Sequence, residues 1–215
     1  MAAVRAAAAV RARARAAADL DVPETLRAAY TLPRFWSAAR CGQVLDALHA
    51  EVARRADDHG DGWSDGRHRA FATNDLPVAL VPQIDALCRA WLRADVFPHL
   101  VRRHGWGSTD RLDFRDLFFV RYSASPGRQR GLPLHRDGSV VSFNVLLSDP
   151  QSFQGGGTYV EADNCVYAIG RGDVFVHAGK LRHGAAPVTA GERIVLVAFV
   201  DVAPTADAAP DTPPS

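Results

Sequence analysis

His135, Asp137 and His183 are the residues whose types and surroundings can do chemistry. The first two sit in Leu132-Pro133-Leu134-His135-Arg136-Asp137-Gly138, the third far downstream in Leu181-Arg182-His183-Gly184. Two imidazoles and one carboxylate suit one face of an octahedral Fe(II) and leave three positions open for substrate and O₂. Arg193, a short way beyond, supplies a flat, two-pronged cation of the kind that holds a dicarboxylate. The chemistry is that of an iron centre working with a 2-oxo dicarboxylate and O₂.

Local geometry supports the pairing. Residues two apart on an extended strand project to the same face, so His135 and Asp137 can meet one metal while Arg136 points away. The third ligand must come from a distant strand brought opposite. His177, after Val174-Phe175-Val176, competes with His183 for that place. His183 is preferred because a turn through Val188-Thr189-Ala190-Gly191 and a return strand would form a hairpin that sets Arg193 beside the metal. His177 is read as supporting the ligands or facing substrate. His49, His59, His68, His99 and His104 lack such surroundings and read as surface or satisfied histidines. A cupin-like metalloenzyme would offer three or four histidines in a His-x-His arrangement, and the aspartate at 137 speaks against it. A non-catalytic metal-binding jelly roll would have lost a ligand or Arg193, and neither is lost.

The elements that must position these residues are strands. Leu117–Tyr122, Val140–Leu147, Thr158–Glu161, Cys165–Ile169, Asp173–His177 and Arg193–Val202 are short apolar or alternating runs. Gly155-Gly156-Gly157 and Gly170-Arg171-Gly172-Asp173 read as tight turns between them. In Val140–Leu147, Val141, Phe143 and Val145 alternate with Ser142 and Asn144. Many short strands with no helical pattern between them predict two antiparallel sheets packed as a jelly roll, a double-stranded β-helix. Residues 37–104 read as helical, with one helix around Val44, Leu45, Leu48 and Val52 and a second from about Val78 to His99. These helices buttress one outer face of the sandwich. The intervening Asp57–Asn74 loop carries Trp63, Arg67, His68 and Arg69, as substrate contacts or as a solvated loop with one aromatic anchor. Ser123–Leu132, with Gly127 and Gly131, reads as a mobile flap.

The domain reading is an Ala/Arg-rich leader at 1–18, a helical part of the same catalytic unit at 19–111, a jelly-roll core at 112–202 and a loose tail at 203–215. The leader reads as an organelle address or as an alanine-rich helix with none. Four prolines and no aromatic residue mark the tail. The 215 residues are 47% hydrophobic, enough for one domain with a substantial core. A net charge of +1 gives no electrostatic reason to expect nucleic acid or an anionic membrane. Three scattered cysteines fit neither a zinc site nor a disulfide framework. No apolar run reaches the roughly 18 residues of a membrane span. A soluble, intracellular protein is the expectation.

Four blocks of this chain resemble a known family. They run from His135 through Ser142-Phe143-Asn144 to Leu147, then Phe153-Gln154-Gly155-Gly156-Gly157-Thr158-Tyr159, then His177-Ala178-Gly179-Lys180-Leu181-Arg182-His183-Gly184, then Gly191-Glu192-Arg193 to Asp201. They are similar to the iron- and 2-oxoglutarate-dependent dioxygenases, in the prolyl and lysyl hydroxylase branch and above all to the catalytic domain of procollagen lysyl hydroxylases. The resemblance is read from about Leu117 to Val202 and not before. It implies that His135, Asp137 and His183 are iron ligands, that Arg193 binds the distal carboxylate of 2-oxoglutarate, and that Tyr122 and Asn144 line the cosubstrate pocket. Tyr122 reads equally well as a core tyrosine. The implied cofactors are Fe(II), 2-oxoglutarate, O₂ and ascorbate. The implied reaction is hydroxylation of an unactivated C–H, with release of succinate and CO₂. The implied substrate is a peptidyl lysine or proline, or else a free amino acid or small metabolite. Related halogenases carry a small residue where this chain has Asp137, so the aspartate points to hydroxylation.

Overall fold

The computed structural model describes residues 24–56, 60–65, 67 and 72–204. In chain order the elements are β1 (Tyr30–Leu32), α1 (Ala38–Arg55), β2 (Ser64–Asp65), β3 (Asn74–Pro77), α2 (Asp85–His104), β4 (Leu112–Ser123), β5 (Leu132–His135), β6 (Val141–Leu146), β7 (Phe153–Gly155), β8 (Thr158–Val160), β9 (Cys165–Tyr167), β10 (Val174–Ala178), β11 (His183–Ala185) and β12 (Val188–Val202). The strands form two antiparallel sheets. The larger has the order β1-β10-β6-β12-β4-β3-β2, with β7 also on β12. The smaller has the order β5-β11-β8-β9. This is a jelly roll with helices on one outer face, as its sequence predicts.

The large sheet is buried on both sides, which explains its near-continuous apolar strands. On β4, Leu117 and Phe119 face the helices, while Phe118, Val120 and Tyr122 face the small sheet. On β12, Ile194, Leu196, Ala198 and Val200 join the helix-side core. Val195, Val197 and Phe199 pack between the sheets. On β6, Val141, Phe143 and Val145 turn to the helices. That leaves Ser142 and Asn144 on the face toward the small sheet.

The helices carry the outer layer. In α1, Cys41, Val44, Leu48 and Glu51 form the buried stripe, and Ser37 caps the helix by accepting from the Arg40 N–H. Glu51, though buried, takes two hydrogen bonds from Arg54. In α2, Cys88, Leu92, Val96, Phe97, Leu100 and His104 face inward. Gly105, at φ 69°, ends it in the left-handed conformation that glycine adopts most readily.

Several details differ from expectation. The second helix begins at Asp85 rather than Val78. Pro82 lacks the N–H a helix interior needs, and Val78–Leu80 forms only a short 3-10 turn. The helix then runs on through His104. Residues 19–111 do more than buttress. β1 pairs with β10, and β3 pairs with β4, so this part extends the large sheet at both ends. Those strands are two to four residues long, too short for a period to show. The leader and the tail from residue 205 onward lie outside the described residues.

Candidate active site

The two histidines of the trio meet through strand register. β5 and β11 are antiparallel neighbours, and His135 pairs directly with His183. Their ring centroids lie 4.4 Å apart. Asp137 is not on the strand, contrary to the extended His-x-Asp expected. β5 ends at His135, and Asp137 lies in the following loop, where its backbone N–H donates to the Gly179 carbonyl at 2.8 Å. Its carboxylate still reaches both rings, with Oδ1 3.3 Å from His135 Nε2 and Oδ2 3.6 Å from His183 Nε2.

The ring orientations are fixed from behind. His135 Nδ1 lies 2.8 Å from the Pro133 carbonyl and His183 Nδ1 2.9 Å from the Leu181 carbonyl. A carbonyl only accepts, so each Nδ1 carries the hydrogen and each Nε2 presents a lone pair. Two imidazole lone pairs and a carboxylate therefore converge, with one ligand atom from each residue lying within 4.8 Å of the others. Nitrogen–nitrogen–oxygen is a donor set that Fe(II) accepts. Burial would raise the Asp137 carboxyl, but His135, His183, His177 and the Ser142 hydroxyl together hold it at about 2. Burial pushes His183 down to about 3, so its imidazole is neutral and able to ligate.

His177 stands apart from the trio. It is buried, its Nδ1 lies 2.9 Å from the Ala178 carbonyl, and its ring centroid is 4.0 Å from that of His183. It lines the same cavity without belonging to the converging set.

The cavity has a volume of about 290 Å³ and lies between the two sheets. Arg193, Tyr122 and Asn144 enter it from the large sheet. Arg193 is only 3% exposed, and among the described residues no carboxylate pairs with it. A buried cation without a counterion is costly. Tyr122 is the cross-strand neighbour of Arg193, with the guanidinium carbon 5.7 Å from its ring centre. Burial pushes the Tyr122 phenol up to about 12, so it is a neutral donor. Asn144 lies 3.4 Å from Thr158 Oγ1 through Nδ2, and among the described residues its buried Oδ1 has no partner.

Arg193 reaches this place by a route other than the expected hairpin. Residues 188–191 already belong to the long β12. The chain turns at Ala186-Pro187, and β11 and β12 lie in different sheets. The triple glycine also does more than turn. A Cβ at Gly156 (φ +74°) would lie 2.9 Å from Arg193 Cδ, so the bare backbone there makes room for the arginine stem.

Sequence reasoning missed Ser142 and Thr158, which line the cavity, and Ser139, which bonds Ser142. Isolated hydroxyls give no motif, though the pairing of Ser142 with Asn144 on one face of β6 was a signal that this face is not plain core. In the Asp57–Asn74 loop, Trp63 is buried beside the Arg121 guanidinium, and Arg67 bridges Asp75 and Asp116. His68 and Arg69 lie outside the described residues. The Ser123–Leu132 segment is tied down rather than flap-like. Ser123 N donates to Gln129 O, Ala124 N to Gly191 O, Arg128 N to Ser125 O and Val188 N to Arg130 O. The Gln129 side chain also accepts from Asn74 N and donates to Ala72 O.

No family model matches the chain. Human procollagen-lysine,2-oxoglutarate 5-dioxygenase 2 is 39% identical over 180 residues, covering 78% of this chain and 23% of its own length. A PKHD-type hydroxylase of Cupriavidus metallidurans is 31% identical over 179 residues, covering 72% of this chain and 74% of the bacterial protein. Among solved structures, a 2OG-Fe(II) oxygenase-family oxidoreductase from Burkholderia pseudomallei has the same fold. Its TM-score is 0.57 at 20% identity, over 88% of this chain and 89% of that one. The chain belongs to the iron- and 2-oxoglutarate-dependent dioxygenases, in their prolyl and lysyl hydroxylase branch. Membership implies Fe(II), 2-oxoglutarate and O₂. The likeness is wider than the expected Leu117–Val202, because an alignment covering 78% of the chain reaches into the helical part. Helices keep a burial pattern while their residues change, so they show no motif to the eye.

Proposed function

We propose that this protein hydroxylates an unactivated C–H, consuming O₂ and 2-oxoglutarate and releasing succinate and CO₂. One observation carries the reading: three lone-pair donors converge in the cavity that also holds a buried arginine with no counterion among the described residues. His135, Asp137 and His183 hold the metal through Nε2, a carboxylate oxygen and Nε2. When bound, Fe(II) supplies the O₂ activation that oxidises the 2-oxo acid and delivers one oxygen atom to the substrate.

The chain's own residues prepare that event. Arg193 pairs with the distal carboxylate of 2-oxoglutarate as a charge-assisted, two-pronged contact in a dry setting. The neutral Tyr122 hydroxyl stands beside it as a further donor. Asn144 supplies an amide on the cavity wall. Phe118, Val195, Val197 and Phe199 make the adjoining walls apolar and exclude water from the reacting C–H. No helix among the described residues is long and apolar enough to cross a membrane.

The substrate we propose is a peptidyl lysine or proline. The support is the likeness to the human relative, a procollagen-lysine,2-oxoglutarate 5-dioxygenase. The chain spans 23% of that relative's length, so collagen itself is not carried over. The test is incubation of iron-loaded protein with 2-oxoglutarate and a panel of lysine- and proline-containing peptides, free amino acids and small metabolites. Succinate release and a mass gain of one oxygen on a peptide are the expected results. Turnover of a free amino acid with no peptide modified would move the assignment to a small-molecule hydroxylase.

A further inference from the structure

We infer that Ser142 is a positioning residue for the metal site, fixing the Asp137 carboxylate through a one-way chain of hydroxyls that begins at Ser139. The inference rests on the reading of His135, Asp137 and His183 as the ligand set.

Asp137 needs outside help to hold its place. It lies two residues past the end of β5, so no strand ladder orients it. Its backbone is tied to the turn after β10, with Asp137 N donating to Gly179 O and Gly179 N to Val140 O. Those bonds leave the carboxylate free to rotate about its own side-chain torsions. The Ser142 hydroxyl removes that freedom. Ser142 is 0% exposed, sits on the cavity face of β6, and donates to Asp137 Oδ2 at 2.6 Å. That distance is in the short range of a hydroxyl bonded to an ionised carboxylate.

The direction of the chain follows from counting hydrogens. A serine hydroxyl has one hydrogen. Ser142 gives its hydrogen to Asp137, so Ser139, whose Oγ lies 2.7 Å away, must be the donor of the second bond. Ser139 donates to Ser142, and Ser142 donates to Asp137. The same order polarises the second bond and strengthens it. Ser139 is itself held by close packing. A Cβ at position 179 would lie 2.2 Å from the Ser139 carbonyl oxygen and 2.6 Å from its hydroxyl oxygen, so glycine is required there.

The consequence for metal binding is preorganisation. With Oδ2 held from the β6 side, the carboxylate is presented to the two Nε2 atoms before any metal arrives. Partners of this kind, one bond behind a ligand, shift metal affinity by about 10- to 100-fold.

The test uses Mn(II) alone, an air-stable stand-in for Fe(II), titrated calorimetrically into the full chain and variants. Circular dichroism verifies the fold of each. Ser142→Ala should bind Mn(II) about 10- to 100-fold more weakly, while Ser142→Thr, which keeps the hydroxyl, recovers most of the affinity. Ser139→Ala should lose less, in the same direction. Asp137→Ala is the control for the ligand set. If Asp137→Ala loses Mn(II) while folded Ser142→Ala binds it like wild type, the positioning role is wrong and the ligand set stands. If folded Ser142→Thr binds as weakly as Ser142→Ala, the hydroxyl is not the operative group and the inference also fails. If Asp137→Ala binds like wild type, the ligand set itself is wrong, and with it this inference.

Discussion

The eight-stranded and four-stranded sheets face one cavity and contribute different things to it. The large sheet presents Arg193, Tyr122 and Asn144 from long strands whose opposite faces are packed under α1 and α2. The small sheet presents His135 and His183 from strands of four and three residues, one of them an edge. The residues proposed to bind cosubstrate thus share the rigidity of the main core. The proposed metal ligands rely on local devices instead: the His135–His183 register, carbonyls behind each ring, and a serine behind the carboxylate. A site divided in this way should fail in two separable modes, loss of metal with the fold intact and loss of stability with the folded site unchanged.

The largest effects belong to the small-sheet side. Replacing His135 or Asp137 by alanine should abolish metal binding by calorimetry and leave the melting temperature of the metal-free protein close to wild type. Each removes one of three ligands and little core. A collapse of the fold in either variant would show that the small sheet is not energetically separate from the large one.

Next comes the large-sheet side of the cavity. Arg193→Ala should raise the KM for 2-oxoglutarate by about two to four orders of magnitude, from about 3–5 kcal/mol for breaking a buried charge pair. Metal affinity should be nearly unchanged. Arg193→Lys should be milder, since it keeps the charge without the fork. Wild-type dependence on 2-oxoglutarate in Arg193→Ala would place the carboxylate elsewhere.

The same contrast predicts stabilities. Phe143, fully buried under the helices, should cost about 3–5 kcal/mol on truncation to alanine. Val166 on the small-sheet edge is 46% exposed and should cost no more than about 0.5 kcal/mol. Urea denaturation of the two variants measures the difference, and equal losses would erase the distinction between the sheets.

The smallest effect lies far from the cavity. His104 on α2 shares a 2.9 Å hydrogen bond with the Tyr30 hydroxyl on β1. Burial, with Arg103 and His99 adding to it, holds its imidazole at about 4, below its ordinary 6.5. Between those values the unfolded chain binds more protons than the folded one. Stability from this group is therefore present above 6.5 and falls as the pH drops toward 4. His104→Gln should flatten the wild-type loss of stability across that window. An unchanged slope would assign the acid sensitivity to other groups.

How much of this was legible in the chain follows the same division. The large sheet announced itself, because Leu117–Tyr122 and Ile194–Val200 are apolar runs long enough to read as strands buried on both faces. β5 and β11 did not, since strands this short have no period. Their histidines were found by chemical type and by the motifs around them. The expected hairpin between His183 and Arg193 failed because the chain changes sheets at Ala186-Pro187, and no local pattern encodes which sheet a strand will join. Ser142 was visible only as a polar residue alternating with valine and phenylalanine. Its role depends on Asp137 leaving the strand, which is a tertiary fact.

The measurement that reaches the central claim most directly is anaerobic titration of Fe(II) and 2-oxoglutarate into His183→Ala and His177→Ala. The signal is the weak visible charge-transfer band of the metal–2-oxo acid chelate. Both histidines are buried on the cavity wall, and only His183 presents its Nε2 to Asp137 in the converging set. The account predicts that His183→Ala loses the band and His177→Ala keeps it. A band that survives in His183→Ala and vanishes in His177→Ala would contradict it.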